Sequence, residues 1–362
     1  MRSKRLCITG VSAMQAWDEG AMSYARPSRV TSPNTLADTS AELAAFTTLP
    51  QGCTEPVHIA VGNDAHRLRT KQWAAHRRRA SYPVGSLLDI DDNRLVVSPN
   101  EFFLHRAPKL SIVQAVLLGM ELCGYYSTLM SVPYKRYCDA LIRDRSIRLG
   151  DRPWPPANWD LSLEHQRNLM DNGFVTREPL STVDAVNRYL AHVLSPTSHS
   201  MAKSAARVIR GNSHSPMESR LYARYCLPRR FGGLNLNPVR LHEEIPLTDN
   251  YARSLGIDRY WVDLYWPTCG VAIEYEGEYP HSSLTAQQRD RLRRNVLQAT
   301  GIRIISIDKA QFANESIMEL HGVEIAKALG LAASTLEPRS SEKQARDALI
   351  NEIHDWDFDL YR

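Results

Sequence analysis

Asp263, Glu274 and Glu276 fall within one short segment, VDLYWPTCGVAIEYEGEYPH from Val262 to His281. The apolar run Tyr260-Trp261-Val262 leads into Asp263. Residues 266–270, WPTCG, read as a turn, and a second apolar run, Val271-Ala272-Ile273, ends at Glu274 and Glu276. Two short apolar runs around a Pro/Gly turn predict an antiparallel hairpin. Successive strand residues face opposite sides, so Glu274 and Glu276 share one face, and Asp263 comes near Glu274 across the pair. Carboxylates gathered in this way repel, and burial raises the cost. A divalent cation among them removes that cost, and oxygen ligands of this kind suit Mg²⁺ or Mn²⁺.

The neighbouring elements must position this group. Leu284 to Thr300 is a polar, basic segment with Leu292, Val296 and Leu297 on one helical face, and Gly301 is a helix stop. Ile302 to Ile307 then reads as a strand parallel to one of the first two, with Asp308 opening the next turn. Upstream, Ser215-Pro216-Met217-Glu218 opens an apolar-periodic helix, with Ser215 as N-cap, Pro216 at the first helical position and Glu218 three residues after the cap. A capping-box Glu needs no metal to explain it. His242-Glu243-Glu244 precedes the hairpin in a predicted strand, Arg240 to Ile245. Adjacent strand residues face opposite ways, so this run is not read as a metal site.

Glu218, Asp263, Glu274 and Glu276, in this order, resemble the PD-(D/E)xK nuclease fold, and more closely its Vsr-like branch. The matching text is SPMES, VDLYWP, VAIEYEGEYPH and DRLRRNVLQATGIRIISI, within residues 211–330. The resemblance implies a mixed sheet flanked by helices. It also implies a metal set of Glu218, Asp263 and Glu274, a catalytic group of Asp263, Glu274, Glu276 and His281, and Arg289, Arg293 and Arg294 on phosphate oxygens. The implied activity is Mg²⁺- or Mn²⁺-dependent hydrolysis of DNA, in bacterial defence, repair or mobile-element biology. One position departs from the pattern: Glu276 stands where the wider superfamily has Lys and this branch Asp. The alternative is a DNA-binding regulator or antitoxin-like protein whose nuclease fold is inert.

The rest of the 362-residue chain is read more coarsely. Hydrophobic content of 43% and charged content of 23% fit a soluble globular protein, and a net charge of +4 leaves nucleic-acid affinity to local patches. The six cysteines form no C-x-x-C pair, which fits reduced thiols in a cytoplasm. There is no signal peptide, and the longest apolar run, Ala115 to Met120, is too short to span a bilayer. The expected organisation is an α/β nuclease-like domain at 211–330, preceded by an α+β domain at 56–128. Residues 1–55 are poorly defined, 129–210 form a linker and helical region, and 331–362 a tail with a short helix. Val57 to Val61 is a predicted strand. Ser98-Pro99 opens one helix, and a second runs from Ser111 to Tyr126. With the basic run His66 to Arg79, these elements resemble AbiEi-type antitoxin or regulator proteins. Arg67, Arg69 and Lys71 are candidate DNA contacts with Trp73 beside them, although a solvated charged face explains the run as well. DNA is the expected partner, with a protein partner or a second copy of the chain also open.

Overall fold

The computed structural model describes residues 4–49, 52–62, 69–77, 81–148, 151–159, 161–192, 199–247, 250, 258–277, 300–355 and 360–361. The chain is mixed α/β and divides into two compact units. One is Met1–Ile209 together with Asp357–Arg362, and the other is Arg210–Trp356. Among the described residues no helix is long and apolar enough to cross a membrane.

In the first unit six strands form one sheet. They are β1 (Leu6–Ile8), β2 (Arg26–Pro27), β3 (Val57–Val61), β4 (Trp73–Arg77), β5 (Leu87–Asp89) and β6 (Arg94–Val97), in the order β2-β5-β6-β1-β3-β4. β1 lies in the interior, parallel to β6 and antiparallel to β3. The segment expected to be poorly defined, residues 1–55, thus supplies two strands of the sheet, and a division at 55/56 separates strands that hydrogen-bond to one another. Residues 129–210, read as a linker and helical region, are largely helical. They hold the helices Ser131–Arg143, Leu163–Asn172, Val183–His192 and Ser200–Ala206, and β8 (Val175–Thr176) pairs with β7 (Tyr126–Ser127). That pairing shortens the helix read as Ser111 to Tyr126, which ends at Leu122. Ser98 caps its helix as expected, accepting from Glu101 N–H at 3.3 Å, and Ser111, read as the first residue of the next helix, is its N-cap, accepting from Gln114 N–H at 3.1 Å. Trp73 is buried within β4, so it anchors the strand, while Arg69 and Lys71 are exposed. Arg67 lies outside the described residues.

The second unit is built on a four-stranded sheet of β9 (Arg240–Pro246), β10 (Arg259–Trp266), β11 (Val271–Glu276) and β12 (Arg303–Asp308), in the order β12-β11-β10-β9. β9, β10 and β11 form an antiparallel meander, and β12 lies parallel to β11. The predicted hairpin turn falls at 267–270, where Gly270 takes a left-handed φ of +66° and its N–H donates to Trp266 O at 3.0 Å. Burial alternates along β10, with Tyr260, Val262, Leu264 and Trp266 inside. Trp266 is fully buried and its indole N–H donates to Leu236 O at 2.8 Å, so the one polar atom of that side chain is satisfied.

The helix Pro216–Cys226 packs into this unit through Leu221, Tyr222 and Tyr225. Arg224, itself buried, makes a bidentate pair with Glu315 at 2.6 and 2.8 Å and ties this helix to the helix Glu315–Ala328. The tail expected after 330 belongs largely to this unit, because the helix Lys343–His354 buries Leu349 and Ile353 completely.

Candidate metal centre

Glu218 is held by the start of its own helix. Ser215 Oγ accepts from Glu218 N–H at 3.1 Å, and the Glu218 side chain reaches back so that Oε2 accepts from His214 N–H at 2.9 Å. Ser215 is thus the N-cap expected, but the Glu218 side chain holds the residue before the cap rather than the N-cap N–H that a capping box would use. That contact leaves Oε1 unexplained, and this side chain is only 4% exposed. Burial, and then the neighbouring Asp263 carboxylate, push Glu218 well above the usual carboxylate range, while the contacts with His214 and Ser215 pull the other way.

Asp263 sits at the middle of β10 and is half-buried. Its Oδ2 accepts from Tyr275 N–H of β11 at 2.7 Å, which fixes the carboxylate across the hairpin. Leu264 is opposite Ile273, so Asp263 is in register with Glu274, as the hairpin spacing implied. On the other side, Glu243 is opposite Val262 and Leu241 opposite Leu264, which puts His242 in register with Asp263. Residues directly opposite one another on paired strands share a face. His242, Asp263 and Glu274 therefore form a row across β9, β10 and β11.

Ligand atoms of Glu218, His242 and Asp263 all lie within 4.8 Å of one another. Donors around one small dication at its usual bond lengths are roughly 3 to 4.4 Å apart, so the three groups would draw together to meet one ion. The donor set is a buried carboxylate, a half-buried carboxylate and an imidazole. Glu274 lies alongside, half-buried at the end of the row, and Glu276 stands two residues on, exposed and paired with Asp308 of β12. Neither is among the groups that close to 4.8 Å.

The His242 ring is the unexpected member. The run His242-Glu243-Glu244 does not act as a set: Glu243 pairs with Arg240 and Glu244 with Arg259, and only His242 faces the centre. Setting aside the whole run on strand alternation also set aside His242. The signal that could have found it is register, since pairing Arg240 to Ile245 against Tyr260 to Trp266 puts one residue of the run opposite Asp263. His242 has a left-handed φ of +45°, rare for a residue with a side chain. The Asn212 carboxamide braces that backbone by donating to Leu241 O at 2.9 Å and His242 O at 3.3 Å. The ring stacks on His214 with centroids 3.5 Å apart and 13° between planes, and beyond it lies the exposed Trp261 at 6.3 Å. Burial, with His214 alongside, pushes His242 down to about 4, so the ring is neutral at pH 7.

No family model, curated protein or solved structure matches the chain. His281, Arg289, Arg293 and Arg294 lie outside the described residues, as does the basic helix read at Leu284 to Thr300.

Proposed function

We propose that the second unit is a divalent-metal-dependent DNA endonuclease centred on Glu218, His242 and Asp263, with Glu274 as the adjoining oxygen donor. The observation that carries this reading is the convergence of a buried carboxylate, a half-buried carboxylate and an imidazole, whose ligand atoms all lie within 4.8 Å of one another. Such an arrangement suits a site completed by a metal ion. The order of elements supports it. A helix bearing Glu218 is followed by a three-stranded antiparallel meander bearing Asp263 and Glu274, and then by a strand parallel to the last of them. DNA as substrate comes from the resemblance of these segments to Vsr-like nucleases.

His214 N–H orients Glu218 and Tyr275 N–H orients Asp263, so each carboxylate is held by a backbone donor before a ligand arrives. When bound, a divalent cation supplies Lewis acidity toward water and offsets negative charge at phosphorus. With Glu at position 276 there is no lysine on β11, so on this reading water activation falls to the metal, to Glu276 or to His281.

The test is nicking of supercoiled DNA by the full chain in Mg²⁺, Mn²⁺ or EDTA, beside Asp263→Ala. Nicking should require metal and fall about 10²–10³-fold or more in the variant, the loss typical when one charge-stabilising group is removed. Undiminished metal-dependent cutting by Asp263→Ala would remove the assignment. DNA binding without cutting in any metal would favour the inert regulator.

A further inference from the structure

We infer that His242 is itself a metal ligand, and that it biases the centre toward a first-row transition-metal dication, Mn²⁺ or Zn²⁺, over Mg²⁺. The inference rests on the reading of Glu218 and Asp263 as a metal centre and adds the identity of the ion.

Three observations converge on His242. Its Nδ1 is buried and takes part in no hydrogen bond with a described residue. A buried ring nitrogen without a partner is costly, and such atoms are usually satisfied by protein, water or an ion. The same Nδ1 lies 3.9 Å from Glu218 Oε1, which also has no hydrogen bond from a described residue, the other oxygen being taken by His214 N–H. That separation is too long for the direct hydrogen bond a simple His–Glu pair would make. It falls within the range for two donors sharing one ion. Finally, the ring cannot turn aside easily: His214 stacks on its face at 3.5 Å, and Asn212 clasps the backbone on either side of its peptide. Metal-binding imidazoles are commonly oriented in this way by surrounding groups.

The chemistry of the donors then selects the ion. Mg²⁺ prefers an all-oxygen octahedron and keeps several of its waters. Imidazole nitrogen suits first-row transition ions, and mixed imidazole and carboxylate donors are a familiar set for them. A purely oxygen site in the row Asp263–Glu274 would have no use for a buried nitrogen aimed at Glu218.

The test is calorimetric titration of the full-length protein with MnCl₂, ZnCl₂ and MgCl₂ near neutral pH, with His242→Phe, His242→Asn and Asp263→Ala. Phe keeps a flat ring against His214 and removes the nitrogen, while Asn tolerates the left-handed backbone. Circular dichroism checks that each variant is folded. Wild type should bind Mn²⁺ or Zn²⁺ at least about tenfold more tightly than Mg²⁺. Both His242 variants should lose that advantage while Mg²⁺ affinity changes little, a loss of at least about tenfold for the transition ions. Asp263→Ala should weaken all three. If folded His242 variants bind Mn²⁺ and Zn²⁺ as wild type does while Asp263→Ala binds no metal, the inference is wrong and the metal centre stands. If Asp263→Ala binds every ion as wild type does, or wild type binds none, both fail.

Discussion

The two oxygens of Glu218 face different partners: Oε2 accepts from His214 N–H just ahead of the helix cap, and Oε1 faces His242 in the proposed metal centre. In the absence of metal the second placement is a liability. A carboxylate nearly stripped of water and placed beside Asp263 is held above its usual range, and the charged form costs folding stability. Glu218→Gln keeps an oxygen for His214 N–H and removes the charge. In EDTA this variant should be more stable than wild type, by on the order of 1 kcal/mol, the worth of about one pKa unit. It should also lose metal-dependent cutting. Thermal melts in EDTA and a nicking assay check the two halves, and a melting temperature below wild type would show that the His214 contact, not the charge, dominates at this residue.

At the scale of elements, short helices are held by their ends. The helix Ser40–Leu43 carries a capping box in which Thr39 Oγ1 accepts from Glu42 N–H at 3.2 Å and Glu42 Oε2 accepts from Asp38 N–H at 2.9 Å and Thr39 N–H at 3.1 Å. The Asp38 N–H, then the Thr39 contacts and Lys4, hold Glu42 down to about 2. A carboxyl with a lowered folded value stabilises the fold above its unfolded value of 4.5, and that contribution is lost as pH falls toward about 2. Because Glu42 is one-third exposed the effect is small. Glu42→Gln should flatten part of the acid limb of the stability curve between pH 4.5 and 2 and leave a residual loss near pH 7 of about 0.5–1 kcal/mol. Urea melts across that range check it, and an unchanged acid slope would count against the cap as its source.

At the scale of the whole chain, two units carry separate sheets, and only the second holds the centre. A ligand that binds the folded state alone stabilises it by about 2.7 kcal/mol at a hundredfold excess over Kd. Hydrogen exchange should therefore slow on addition of Mn²⁺ in β9, β10, β11 and the helix Pro216–Cys226. Protection confined instead to the six-stranded sheet of the first unit would place the metal elsewhere.

Much of the second unit was legible in the sequence because its signals are local. Ser215-Pro216 set the helix start, the Pro/Gly turn at 267–270 set the hairpin, and the two apolar runs placed Glu274 in register with Asp263. The strand from 303 to 308 and its parallel pairing with one of the hairpin strands followed from the same pattern, and the structure identifies that strand as β11. Where the signal was weak the reading failed. β1 is only three residues, and nothing in Leu6-Cys7-Ile8 announces that two distant strands will close around it. The tail helix Lys343–His354 likewise took its place through burial of Leu349 and Ile353 rather than through any pattern at a domain boundary. At the centre, hairpin spacing pointed to Asp263, and the resemblance to Vsr-like nucleases added Glu218. The third, His242, was decided by tertiary structure, because a partner across strands depends on register and on a left-handed kink braced by Asn212, thirty positions away. Neither a pairing register nor a backbone sign is written in the residues on either side of His242.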